Sequence, residues 1–459
     1  MSRKSSRKGK SEGTTRRSFL RTAALAGAGF YVAGSTGCGL LRPSARYRSP
    51  NEKLNIACIG AGGRGGANVV GVGGENIVAL CDVDDKRAAG SYERFPKAKR
   101  FHDYRRMFDA MHKTIDAVVI SVPDHSHALP AVMAMEQGMH VYCEKPLTHD
   151  VWEARLLNET AKKYGVATQM GNQGTSADGL RRGVEAIRSG VIGKVREAHV
   201  WTNRPVWPQG MDRPTEVEEI PAHIKWDLFL GTAPARPFNK AYHPFKWRGW
   251  WDFGTGALGD MGCHTANMAF MALELGSPVS AQAKNSKFSR DSFPTWSVIN
   301  LDFPARGDLP PVRWNWYDGS NQKPAWVNEK LGSLIPGEEV SGSGSILVGD
   351  KGVLYSPNDY GVAWKLLPEE KFRDWTPPEP TLPKSPGHHA EWIAACKGGD
   401  AAMSNFSYAG PLTETLLLGN VAMYTGSRIF WDGPACRVTN SEAANALIRR
   451  SYREGWRQI

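Results

Sequence analysis

The 459-residue sequence has only seven cysteines, at 38, 58, 81, 143, 263, 396 and 436, and none forms a C-x-x-C pair or a histidine-paired cluster. That spacing argues against a zinc site or a disulfide framework and for buried small hydrophobes; no metal is expected. No uninterrupted apolar run approaches the roughly 18–20 residues needed to span a bilayer. No internal repeat is visible, and only the leader is strongly biased in composition. The body also lacks net charge. Residues 1–50 hold eleven Lys or Arg and one acid, Glu12, so they carry ten of the eleven net positive charges. A nearly neutral body has no bulk field to hold a polyanion, and nucleic acid is set aside as a partner. What remains, 41% hydrophobic and 22% charged, is neither disordered nor a membrane bundle. At this length two domains are expected.

The basic leader reads as an address. Thr15-Arg16-Arg17-Ser18-Phe19-Leu20-Arg21 precedes a weakly apolar, Ala/Gly-rich stretch from Thr22 to Thr36. A twin arginine before a short apolar region is the pattern of a Tat export signal, predicting a periplasmic or otherwise exported protein. Cys38, in Ser35-Thr36-Gly37-Cys38, is a candidate lipidation site, and a membrane association is expected only if it is used. Ser35 departs from the aliphatic residue usual three places before such a cysteine.

Residues 51–175 read as a dinucleotide-binding domain. Leu54–Ile59 is a short apolar run of buried-strand type opening into Gly60-Ala61-Gly62-Gly63-Arg64-Gly65-Gly66, which fits G-x-G-x-x-G. Gly60 permits the tight turn, Gly62 a backbone approach to pyrophosphate, and Gly65 close helix–strand packing, with Gly63 and Arg64 at the start of the helix. A second strand, Asn76–Cys81, ends at Asp82, where an acid can accept both hydroxyls of a ribose and repel a 2′-phosphate. NAD is therefore favoured over NADP, tempered by Lys86 and Arg87 nearby. Further βα units follow: Ile115–Val122 ending in Pro123-Asp124-His125-Ser126-His127, a helix from Ala128 to Gln137, Met139–Cys143 ending in Glu144-Lys145-Pro146-Leu147, and a helix from Val151 to Tyr164 stopped by Gly165. Val166–Met170 leads into Gly171-Asn172-Gln173. A parallel sheet binds ligands at its carboxyl edge, where these segments lie.

The glycine motif, Val-Pro-Asp-His-Ser-His, Glu-Lys-Pro-Leu and a later Gly-Asp-Met-Gly-Cys-His together resemble the Gfo/Idh/MocA oxidoreductases over roughly residues 51–440. The resemblance implies an α/β protein: a Rossmann domain followed by an α/β domain, here 176–459, whose large, mainly antiparallel sheet faces the nicotinamide and often mediates homo-oligomers. It places Glu144, His127 and Asn172 on the cofactor's side of the site. Strand-like stretches in the second half are Glu197–Asn203, Val279–Ser286, Trp296–Phe303, Val312–Tyr317 and Ser345–Tyr355, before a helical C-terminal segment containing His388–Lys397 and Pro411–Thr425.

The chemistry concentrates between Trp250 and Asn267. Asp260 and His264, at i and i+4, share one helical face. Oxidising a secondary alcohol requires hydride departure and removal of the hydroxyl proton. A histidine of near-neutral pKa can take that proton, with a neighbouring carboxylate to orient it. Lys145 can hydrogen-bond the alcohol oxygen and stabilise developing negative charge. Lys145, Asp260 and His264 match the family's catalytic residues one by one, whereas Asn267 stands where many relatives carry Asp. Tyr242, His243, Trp247, Arg248, Trp250 and Trp251 are candidates for substrate binding, aromatic faces stacking on the C–H faces of sugar rings and Arg clamping hydroxyls or carboxylates. His388 and His389, without an evident partner, are expected to be structural. The expected activity is an exported, NAD(P)-dependent oxidation or reduction of a hydroxyl or keto group of a sugar, polyol or glycoside, with the cofactor tightly held. Two alternatives stay open: an NAD-dependent glycosidase working through transient oxidation, and a non-catalytic sugar or nucleotide sensor.

Overall fold

The computed structural model describes residues 44–459. The twin-arginine motif and Cys38 lie outside the described residues.

Six short strands form the first sheet: β1 (Asn55–Ile59), β2 (Asn76–Cys81), β3 (Lys99–Phe101), β4 (Ala117–Ile120), β5 (His140–Cys143) and β6 (Thr168–Met170). Their order is β3-β2-β1-β4-β5-β6, and all pairings are parallel. The central strands are buried on both faces, which is why β1 and β4 read as continuous apolar runs. Gly60 leaves β1 at φ +82°, and a Cβ there would sit 2.4 Å from the Ser121 carbonyl oxygen. A Cβ on Gly65 would lie 2.0 Å from the Gly60 oxygen, so the Arg64–Gly71 helix closes on the turn only with glycine at both places. The Val151–Tyr164 helix has the expected bounds, because Asp150 and Glu153 form a reciprocal capping box and Gly165 ends it at φ +64°.

Nine strands form the second sheet: β7 (Val195–Trp201), β8 (Ser280–Asn285), β9 (Ser297–Phe303), β10 (Val312–Tyr317), β11 (Gly344–Gly349), β12 (Val353–Ser356), β13 (Lys365–Leu367), β14 (Ile429–Asp432) and β15 (Arg437–Val438). The order is β13-β12-β11-β7-β10-β9-β8-β14-β15. Only β7 and β10 run parallel; the other pairings are antiparallel. Residues 345–355 are two strands rather than the single one expected, since the chain reverses at Asp350–Gly352 and β11 pairs with β12. Trp314 and Trp316, two apart in β10, stack on one buried face with centroids 6.2 Å apart.

Two segments bind the sheets together. The His388–Cys396 helix returns to the first one, where Trp392 and Cys396 pack with Leu54, Ile56 and Tyr142. Residues 202–255 form an aromatic lobe around Trp226, Phe229, Tyr242, Trp250 and Phe253. The Lys225 amide donates to the Val83 carbonyl (2.8 Å) and the Asp85 amide to the His223 carbonyl (3.1 Å), which seats this lobe at the carboxyl edge beyond β2. No helix among the described residues is long and apolar enough to cross a membrane.

Candidate active site

A cleft of about 420 Å³ runs along the carboxyl edge of the first sheet, from the glycine loop and Asp82 to Lys145, Arg248 and Asp260. This size is within the usual range of small-molecule and cofactor sites. The Arg64–Gly71 helix begins at Gly63 with no side chain capping it beside the cleft, the Gly65 amide turning back to the Gly62 carbonyl at 3.0 Å. An uncapped helix start over a glycine turn fits a pyrophosphate. Gly62 and Gly63 back onto Arg87, the direction of a Cβ at Gly63 pointing at its guanidinium.

Asp82 lines the cleft, but its carboxylate also braces the loop. Oδ2 accepts from the amides of Ala61 (2.8 Å) and Gly62 (3.0 Å), and Oδ1 from Asp84 (2.9 Å). Burial pushes its pKa up against those three amides. Glu144, at the end of β5, accepts at Oε1 from Arg64 Nε and Asn68 Nδ2, both at 2.9 Å, holding the helix start against the sheet edge.

At the opposite end Lys145 Nζ donates to Asp260 Oδ1 and to the Asp260 carbonyl, each at 2.8 Å. Arg248 Nε reaches the same Oδ1 at 3.2 Å, its guanidinium resting over the Trp247 ring at 4.3 Å. Burial alone would raise the Asp260 pKa, but the charges of Lys145 and Arg248 outweigh it and hold it at about 2. Burial would likewise lower Lys145, and the Asp260 carboxylate outweighs it, so the ammonium is kept charged.

His264 departs from the expected geometry. It sits in the Gly256–Thr265 helix with Asp260, yet makes no hydrogen bond to it or to any other described residue. Lys145 and Arg248 have taken the carboxylate. The imidazole is buried, packs edge-on to Tyr360 (centroids 4.8 Å), and is driven well below its usual pKa by burial and then by the Lys145 charge. It is a neutral base rather than one near pH 7.

Other expected contacts are corrected. His127 is held between the carbonyls of Pro146 and Val122, both 2.8 Å away, and so braces the chain around Lys145. Asn172 is fully buried, its amide donating to the Cys263 carbonyl (3.3 Å) and its oxygen accepting from Ser404. Asn267 is also committed, between Thr175 and Tyr408. Tyr242 and Trp250 belong to the core of the aromatic lobe, Trp250 Nε1 donating to the Ala241 carbonyl at 2.7 Å. Trp251 packs on Phe293 and Tyr424 and faces a separate, smaller cavity. Of the six proposed sugar contacts, His243, Trp247 and Arg248 line the cleft. His388 and His389 are structural, bonded to Met170 and Ser176 and to Asn68.

Two buried carboxylates, Asp124 in the cleft wall and Asp84 behind it, were not singled out in the sequence. Asp124 accepts from Thr255 Oγ1 (2.7 Å) and is raised to about 6 by burial, despite opposing charges nearby. Its place in a sheet-edge motif was the available signal. Asp84 caps the Asp85–Arg94 helix and bonds His223 Nδ1 (2.9 Å) and His243 Nε2 (2.8 Å) from the aromatic lobe. No local pattern links those three residues.

Fold and cleft together define a dinucleotide-binding enzyme of the Rossmann class with a second α/β domain built over the cofactor edge. Residues 54–172 match the model of the oxidoreductase family GFO_IDH_MocA, NAD-binding Rossmann fold, and residues 192–309 match that family's C-terminal alpha/beta domain. The chain belongs to the Gfo/Idh/MocA oxidoreductase family. It is 35% identical over 166 residues to a glycosyl hydrolase family 109 protein of Solibacter usitatus, covering 33% of this chain and 38% of that one. It is 33% identical over 123 residues to inositol 2-dehydrogenase of Rubrobacter xylanophilus, covering 26% and 34%. These matches span well under half of either relative. The WlbA dehydrogenase of Bordetella pertussis, solved with NADH and UDP-GlcNAcA, superposes with a TM-score of 0.57 over 83% of this chain and 98% of its own, at 17% identity. Aldose-aldose oxidoreductase of Caulobacter crescentus gives 0.54 over 83% and 100%, at 16%. At such identities the likeness is one of fold.

Proposed function

We propose that the protein is an exported oxidoreductase that uses a tightly held NAD to oxidise or reduce a hydroxyl or keto group on a sugar, polyol or glycoside. The observation that carries this reading is the buried Lys145–Asp260 pair at one end of a cleft whose other end is the glycine loop. The cofactor, when bound, supplies the hydride acceptor or donor. Lys145, charged and fixed by two bonds to Asp260, is placed to donate to the reacting oxygen and stabilise negative charge there. The hydroxyl proton is assigned to the neutral His264, one helical turn from Asp260, although its buried ring is not part of the cleft lining. Arg248 holds Asp260 from the substrate side and is available to sugar hydroxyls. Asp82 supports NAD, since its carboxylate opposes a 2′-phosphate, while Arg87 beside the loop makes the preference moderate.

The leader supports export by the Tat route, Cys38 offers a lipid anchor, and the nine-stranded sheet is a candidate surface for homo-oligomers. The Lys145→Ala variant is expected to keep NAD binding and lose about 10²–10³-fold in hydride transfer, read as NADH formation across a sugar panel. Full activity in that variant sinks the assignment, and tighter binding of NADP than of NAD overturns the role of Asp82.

The likeness to a glycosyl hydrolase family 109 protein favours a second reading, glycoside cleavage through transient oxidation. Aglycone release without net NADH supports it; stoichiometric NADH excludes it.

A further inference from the structure

The last ten residues supply a wall of the cleft that the dinucleotide fingerprint does not account for. After the Glu442–Ile448 helix the chain turns back across the first domain. Arg450 Nη2 donates to Glu153 Oε1 and Thr232 Oγ1, both at 3.0 Å, and the Tyr452 hydroxyl donates to the same Glu153 oxygen at 2.6 Å. Arg453 bonds the Gly231 carbonyl (3.1 Å) and Asp227 (2.6 Å), and Arg457 pairs with Glu136 (2.7 Å). This strap therefore joins two helices of the Rossmann domain to the aromatic lobe. Trp456, at its centre, packs with Leu129 and Tyr452 and lies 6.1 Å from the Tyr104 ring. The Arg105 guanidinium covers it at 4.1 Å and is itself held by Asp103 at 2.7 Å. Trp456 is only 8% exposed, yet it lines the cleft together with Tyr104 and Leu228. Tyr104 follows β3, beside β2 and Asp82, so this aromatic wall stands at the end of the cleft away from Lys145.

We propose that Trp456 and Tyr104 wall the adenine end of the dinucleotide site, which makes the C-terminal strap part of the cofactor-binding machinery. The inference rests on the dinucleotide reading above. A purine presents flat apolar faces that aromatic and aliphatic walls bind well, without base-specific hydrogen bonds. The strap is anchored independently of the loop that fits the pyrophosphate.

The test is calorimetric titration of the full-length protein with ADP-ribose and, separately, with nicotinamide mononucleotide. Trp456→Ala is expected to weaken ADP-ribose about tenfold or more and to leave nicotinamide mononucleotide unchanged, with Trp456→Phe restoring most of the loss. Unchanged ADP-ribose affinity in Trp456→Ala overturns the proposal. So does an equal loss of both ligands in Trp456→Phe, which would report a general disturbance of the fold. A wild-type protein that carries no nucleotide as purified and binds neither ADP-ribose nor NAD overturns the dinucleotide reading itself.

Discussion

Lys145 Nζ lies 2.8 Å from both the carboxylate and the main-chain carbonyl of Asp260, a residue 115 positions later in the chain. One ammonium thus fixes the end of β5 to the middle of the Gly256–Thr265 helix and sets where its own charge sits. Both side chains are largely buried, at 16% and 12% exposure, so neither is neutralised by water.

Replacing Asp260 by Asn tests that relationship. The variant leaves Lys145 and Arg248 facing each other without a counter-charge, and breaking a buried pair in this way costs about 3–5 kcal/mol. The Lys145 pKa, held up by Asp260, should fall, so the alkaline limb of the pH–rate profile should move to lower pH. An unmoved alkaline limb would show that Lys145 does not set it. Stability follows the same charge. With Asp260 at about 2 when folded and near 3.8 when unfolded, its contribution is complete above about pH 4 and is lost as pH falls through 2. The Asn variant should lose stability less steeply across that range.

Much of the architecture was legible because local signals and burial agreed. β1 and β2 are apolar runs ending in residues with a fixed task, Gly60 and Asp82, and the Val151–Tyr164 helix carries both its caps in sequence. The split of residues 345–355 was hidden because Asp350–Gly352 interrupts a run whose flanks are equally strand-like. At the site, the i,i+4 spacing of Asp260 and His264 showed that they share a helical face. It could not show that Lys145 and Arg248 reach the carboxylate first. Among the aromatic candidates Trp247 lines the cleft, whereas Tyr242 and Trp250 lie in the lobe's core; the chemistry of a sugar platform and of a core is the same, and only tertiary neighbours separate the two.

His264 should act as a base that stays unprotonated well below pH 6.5, since burial and the Lys145 charge both oppose its cation. Alcohol oxidation is therefore expected to show no acid limb centred near 6.5. His264→Asn should lower kcat/KM about 10²–10⁴-fold at neutral pH. An acid limb at 6.5 in the wild type that disappears in His264→Asn would contradict the assigned environment.

Asp84 should hold the aromatic lobe closed over the cofactor edge. Burial alone would raise its pKa, but hydrogen bonds from His243, the Arg87 amide and His223 outweigh this and hold it at about 2. Asp84→Ala removes a helix cap and both histidine contacts, a loss of about 3 kcal/mol. Amide exchange should then quicken in residues 220–245 more than in β1 or β4. Uniform quickening across the fold would instead assign Asp84 to global stability alone.

Asp124 should make the protein less stable as pH rises, the reverse of Asp260. Its folded pKa of about 6 lies above the unfolded value, so between about pH 4 and 6 the native state binds the extra proton. Stability is fully present below pH 4 and lost as pH rises through 6, by about 3 kcal/mol for a shift of this size. Asp124→Asn keeps an oxygen to accept from Thr255 and removes the buried charge. Urea unfolding should therefore find the variant more stable than wild type at pH 8 and nearly equal to it at about pH 3.5. Thr255 immediately precedes the helix carrying Asp260, and its carbonyl accepts from Asn420 Nδ2 at 2.9 Å, so the carboxylate is bonded to the residue at the start of that helix. Retaining an ionisable group there at a cost in stability is the pattern expected of a functional residue. If the variant gains stability at pH 8 without losing turnover, Asp124 has no part in the reaction.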